Sequence, residues 1–336
     1  MYRLYVEAAP RLAILALTVA VLGGLAGIAA PAFGWLPALG GTRLSLEPWR
    51  ELAAVPGLAQ MVGVSLLAGL ASAAIALAVV LAFVAAFHRT RAFALVERSL
   101  SPILSIPHAA AAIGFAFLVA PSGLLARLAS PGLTDWQRPP DLLIVGDPWG
   151  LAMIAALVVK EVAFLLLMTL AVLPQTGLRE RLPVARMLGY RPVAAFAKVV
   201  LPRLYPLIRL PLYAVIAYAS STVEVALILG PSTPPPLAVA ILRWMNDPDL
   251  ELRFMASAAA LAQVALTFTA LALWRIGELA TARLARGWLT GGGRAASDRA
   301  VAVFGAVGIA FTLTAAAGGL AALALWSIAG FWRFPE

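Results

Sequence analysis

Seven stretches of this chain, 12–32, 62–87, 103–120, 151–173, 212–229, 255–274 and 301–328, are apolar over nearly the length needed to cross about 30 Å of hydrocarbon. Lipid offers the backbone no hydrogen-bonding water, so each run must satisfy its own amides and is expected to be an α-helix. By length, 336 residues could make two soluble domains, but 62% hydrophobic against 12% charged residues points to one membrane domain. The expectation is an all-α fold, a polytopic membrane helical bundle. The third and fifth runs are short and carry proline or ionisable residues.

Lys and Arg orient the bundle. With the N-terminus inside, the inner segments hold Arg3, Arg11, three residues at 89–98, seven at 179–209 and five at 275–299, which is 17 of the 25 basic residues. The outer segments hold seven, and Lys160 lies within a span. Counting acidic residues too, the inner face is +12 and the outer −2 within a net +9. The basic balance is therefore a topology signal, N-terminus in and C-terminus out, and no nucleic-acid partner is implied. Arg3 and Arg11 precede an apolar run longer than a signal-peptide core, so a retained first span is expected.

Cysteine is absent and only two histidines occur, which removes disulfides, thiolate chemistry and the usual metal-ligand sets. No metal or catalytic group is expected. No Gly-x-x-x-x-Gly-Lys-[Ser/Thr] loop occurs either, so this chain is expected to bind no nucleotide cofactor. Trp35, Trp49, Trp136 and Trp149 lie in outer loops and suit a membrane interface. Ser65, Gly69 and Ala73, four residues apart, offer a neighbouring helix close approach.

The inner segment between the fourth and fifth runs, PVARMLGYRPVAAFAKVVLP at 183–202, is basic and bracketed by proline. Pro183 suits a first helical turn, Gly189 leaves room for another backbone, and Pro202, Pro206 and Pro211 punctuate the return to the membrane. A plainer alternative is a solvated loop facing anionic lipid. The spacing of Ala185, Gly189, Leu201 and Pro202 resembles the loop motif of binding-protein-dependent ABC importer permeases: E-A-A, three residues, Gly, nine residues, I-x-L-P. Val199 stands at the Ile position, while Pro183 replaces the Glu and Val184 the first Ala.

The phrases KEVAFLLL and GPSTPPPLAVAILRW are similar to permeases grouped with thiamine, ferric-iron, sulfate and polyamine importers. The resemblance implies a six-span type I importer core over 1–276. It makes the loop at about 175–210, with Arg186, Tyr190 and Arg191 beside the motif residues, a docking element for cytoplasmic ABC ATPase subunits. ATP and Mg would sit on those subunits. It further implies an extracytoplasmic solute-binding protein, a second permease half and a bacterial-type inner membrane. A basic, glycine-rich linker at 277–300 leads to a seventh span at 301–336, read as the start of a second half or as an appended helix; the ending 331–335 echoes residues 33–37.

Charges inside a bilayer cost about 2.5–3.5 kcal/mol on insertion scales. Lys160 and Glu161 lie roughly 15 Å into their span, with Glu224 at comparable depth in the next. Adjacent helical residues point about 100° apart, so one of the pair is expected to meet Glu224 while the other lines a cavity. An interhelical ion pair and a translocation path edged by His108, Lys160, Glu161, Ser220, Ser221 and Glu224 remain alternatives. His108, after Pro107, also suits bonding to a carbonyl freed by a helix break. The rival functions are an ion-coupled secondary transporter using Glu161 and Glu224, and a membrane-embedded enzyme, which lacks a recognisable catalytic set.

Overall fold

The computed structural model describes residues 2–294, 297–330 and 332–335, with side chains from residue 9 onward. The side chains of Arg3 and Glu7, Ala295 and Ala296 of the linker, and Phe331 and Glu336 of the ending lie outside the described residues. Two units are formed. One takes the chain up to Val62 together with Leu237–Leu266, the other Gly63–Pro236 with Thr267 onward.

In the first unit α1 (Tyr2–Ala32) leads through Gly34, at φ +82°, into a two-stranded hairpin of β1 (Trp35–Leu36) and β2 (Gly41–Thr42). The strands are antiparallel with Trp35 opposite Thr42. Gly41 is needed because a Cβ there would stand 2.8 Å from the Phe254 ring. A short α2 (Glu47–Ala54) follows, with Trp49 tilted against Phe33 at 6.0 Å.

The second unit carries α3 (Leu58–Phe87, from Gly63), α4 (Arg91–Ser105), α5 (His108–Val119), α6 (Leu124–Ala129) and α7 (Leu151–Val172). Thr90 starts α4 by accepting from the Phe93 amide at 3.2 Å. Asp147 starts α7: its Oδ1 accepts from Leu151 N at 2.9 Å and its Oδ2 from Ala152 N at 3.1 Å, filling amides a first turn leaves orphaned. α7 is the core helix, with 72% of its apolar window buried. Then come α8 (Leu178–Met187), α9 (Pro192–Ala195), α10 (Leu201–Ser221) and α11 (Glu224–Leu229). α12 (Leu237–Met245) belongs to the first unit, α13 (Leu252–Thr290) contributes to both, and α14 (Asp298–Ile328) closes the second.

Among the described residues, seven helical segments are long and apolar enough to cross a membrane. Several boundaries differ from expectation. The third span starts at His108, because the chain breaks at Ile106 (ψ 126°) before Pro107 and residues 103–105 end α4. The fifth runs from Pro192 to Ser221, since helix persists through its charged and proline-containing half. It then stops where Thr222 turns extended at ψ 133°, which puts Glu224 after the helix instead of midway along it. α13 continues to Thr290, so the first part of the expected linker is helical.

Two expectations about proline also change. Pro183 is the sixth residue of α8, beyond its first turn. Pro206 and Pro211 lie inside α10, and α9 passes into it through a π-turn at Phe196–Val200, so the prolines do not interrupt the return. Each proline forfeits one intrahelical bond, which neighbouring helices tolerate in a membrane bundle.

Glycine sets the helix contacts. A Cβ on Gly69 would lie 2.8 Å from Ser220 Cβ, which brings α3 onto α10. A Cβ on Gly114 of α5 would stand 2.7 Å from the Gly319 carbonyl of α14, and one on Gly305 2.7 Å from Phe83 N of α3. Absent side chains thus let α14 lie directly on two helices of its unit.

Candidate functional site

α8 is an amphipathic helix with an inverted surplus. It buries Leu182 and Ala185, three residues apart and hence on one face, while Val184, Met187 and Leu188 remain 57%, 87% and 59% exposed. Arg179, Arg181 and Arg186 are exposed beside them. Gly189 ends the helix at φ +84°. Its amide donates to Arg186 O at 3.0 Å and the Tyr190 amide to Ala185 O at 3.2 Å, the paired bonds of a left-handed helix terminus. Glycine is required here by φ; within this chain a Cβ would first meet the Arg294 side chain at an ordinary 3.4 Å. Leu201 and Pro202 of the motif fall in the first turn of α10, Leu201 half-buried and Pro202 exposed.

The expected path residues gather around two chain breaks in the second unit. His108 opens α5 directly after the first break, and its ring lies 4.7 Å from that of Tyr218, in the last turn of α10 before the second. Ser220 and Ser221 spend their hydroxyls on the Ala217 carbonyl, at 3.1 and 2.8 Å. Lys160 and Glu161 are 5% and 4% exposed and diverge as adjacent helical residues must. The Lys160 ammonium donates to the carbonyls of Ile103 (2.8 Å) and Ile106 (2.7 Å) at the end of α4. Glu161 Oε1 accepts from Ser72 of α3 at 3.0 Å, and Oε2 has no hydrogen-bond partner among the described residues.

Neither Lys160 nor Glu161 therefore pairs with Glu224, which is exposed at the start of α11. The reason is geometric: the break before Pro107 leaves carbonyls closer to Lys160 than any carboxylate. Beside this ammonium lies a small, largely apolar cavity of about 20 Å³, lined by five alanines together with Ile103, Ile106, Phe115 and Gly319 among others. His88, just past α3, has Nδ1 3.1 Å from Val84 O, and burial lowers it from the ordinary imidazole value.

Sequence reasoning missed one polar cluster. Glu278 of α13 receives the Tyr205 hydroxyl at 2.6 Å, the Tyr213 hydroxyl at 3.0 Å and the Arg275 guanidinium at 2.6 Å, with Arg209 at 3.9 Å. Trp274 Nε1 donates to Tyr205 at 3.0 Å. Tyr205, Arg209 and Tyr213 stand four residues apart, so the stripe was readable, but its carboxylate partner lay 65 or more residues away.

Seven membrane-length helices, a break-centred interior and an exposed helix between the fourth and fifth spans narrow the comparison. Over 218 residues, 65% of the chain, it is 32% identical to the inner membrane ABC transporter permease protein YnjC of Escherichia coli (strain K12). The chain is a relative of an ABC transporter permease. It spans 41% of that protein's length. No protein-family model matches it. The relative and the seven apolar helices agree on a multi-pass membrane protein.

Proposed function

We propose that the chain is a transmembrane permease subunit of an ATP-driven importer, which forms part of the translocation path and docks a separate ATPase through 183–202. The observation that carries this reading is α8, which exposes Val184, Met187 and Leu188 beside arginines while Leu182 and Ala185 anchor it. Exposed apolar side chains on a basic segment fit a protein cleft better than water. The charge asymmetry supports an inner position for that segment, with the N-terminus in and the C-terminus out.

ATP and Mg belong to the partner chain in this reading, and the subunit is no enzyme. Alternating access needs a second permease half. A protein of which this chain matches 41% has length for another such unit, which supports a fused two-half arrangement with α14 opening the second half. A solute-binding protein would meet the outer loops. A path edged by His108, Ser220, Ser221 and Glu224 would open where the two breaks adjoin, as interrupted helices do in transporters. Lys160 and Glu161 would support its walls.

Met187→Asp is the test, because Met187 is 87% exposed and its replacement removes little buried contact. The permease expressed with its native neighbours should then lose its co-purifying ATPase at unchanged melting temperature. Full retention of the ATPase overturns the docking role.

A further inference from the structure

The docking segment is held from behind by the stretch that joins α13 to α14. The Arg191 amide donates to Arg294 O at 3.2 Å, and the Lys198 ammonium to Gly291 O at 2.6 Å. That ammonium also lies 4.9 Å from the Trp288 ring centroid and 5.5 Å from that of Tyr190. The Arg294 guanidinium lies 5.9 Å from the Tyr190 ring centroid as well.

The deciding contact is the Val193 amide, which donates to Asp298 Oδ1 at 3.1 Å. α9 begins at Pro192 behind Arg191, whose side chain supplies no cap, so its first-turn amides are left unpaired locally. α14 begins at Asp298 behind Ser297, which supplies none either. One carboxylate thus faces the partial positive charge of two helix N-termini, 105 residues apart in sequence. Lys198 acts beside it. It sits in the π-turn and donates to a carbonyl of the glycine triplet that follows α13.

We infer that Asp298 and Lys198 are positioning residues that fix the docking segment to the start of α14, making residues 288–294 and 298 the second half of the docking element. Displacement of α8 is then delivered to two membrane helices, α10 by chain continuity and α14 through Asp298. α14 in turn lies on α5 at Gly114 and Gly319, so motion at the inner surface reaches the break at His108. Arg294 extends the basic rim around Met187 and Leu188, which fits a partner cleft with an apolar floor and acidic edges. The link to a partner rests on the docking reading; the brace itself does not.

Hydrogen exchange read by mass spectrometry on the full chain with its co-purifying ATPase separates the two. Asp298→Ala should speed exchange over 189–200 about fivefold, the loss expected from one helix cap, with α7 unchanged, and should reduce ATPase retention. Asp298→Asn keeps an acceptor and should fall between. Lys198→Met tests the same brace without touching either helix terminus and should act in the same direction. Unchanged exchange over 189–200 in both Asp298→Ala and Lys198→Met overturns the brace whatever the ATPase does. Faster exchange with ATPase retention at the parental level overturns the positioning role and leaves docking through α8 intact. The docking reading falls separately, if Met187→Asp keeps the ATPase.

Discussion

The Lys160 ammonium of α7 lies 2.7 Å from the Ile106 carbonyl and 2.8 Å from that of Ile103, closing the end of α4 where Pro107 breaks the chain. A buried charge and unpaired backbone carbonyls are each costly in hydrocarbon. Together they remove one another's cost. The lysine is thus explained by the backbone, with no carboxylate required.

Lys160→Met should therefore lower the melting temperature of the purified protein, since each carbonyl left buried and unbonded costs about 1–3 kcal/mol. Glu224→Gln is the contrast, because Glu224 is exposed at the start of α11. Its melting should match the parent, and only a transport assay should register the change. Equal melting of Lys160→Met and parent would remove the capping role.

Glu278 joins α10 to α13 through two phenols and a guanidinium. Tyr205→Phe and Glu278→Gln should each destabilise by about 1–2 kcal/mol, as hydrogen bonds to charged groups do. In a double-mutant cycle the pair should show a coupling of about 1 kcal/mol. Additive losses in chemical denaturation would mean that the two do not act together.

Helix contact through glycine gives a steric prediction. Gly114→Val places Cβ 2.7 Å from the Gly319 carbonyl, which belongs to backbone and cannot swing aside. The expected result is a lower melting temperature and freer protease access to the α14 segment. Gly318→Ala meets only the Leu118 side chain at 3.3 Å and should be tolerated. Similar melting of both variants would contradict the glycine-mediated contact.

Gly189 terminates α8 at φ +84°. Gly189→Ala should cost about 1–2 kcal/mol from the left-handed backbone alone, and Gly189→Asn less, since asparagine visits that region more readily. Amide exchange at Tyr190, whose proton bonds to Ala185 O, reads the effect directly. Equal exchange in alanine and asparagine variants would show that φ does not restrain this position.

Much of the site was legible, and the gaps have causes. The apolar runs located seven spans, and the segment at 183–202 was readable as partly helical. That Gly189 also terminates α8 through its left-handed φ was not readable, because spacing does not carry a dihedral. Pro183 reads as a helix start by propensity, yet Gly177, at φ +69°, starts α8 five residues earlier. Lys160 suggested an acidic partner, because side-chain charges are visible in a sequence and freed carbonyls are not. Asp298 and Val193 meet 105 residues apart, beyond any local pattern.

Composition and periodicity determined by themselves that this chain is a helical membrane protein with its basic residues gathered in alternate loops, because burial in lipid constrains every residue of a span independently of its neighbours. Tertiary structure alone decided what the special residues do. Hydrogen bonds and close contacts depend on which helices adjoin, so only packing could give Lys160 its carbonyls, Glu278 its phenols and Asp298 a second helix to cap.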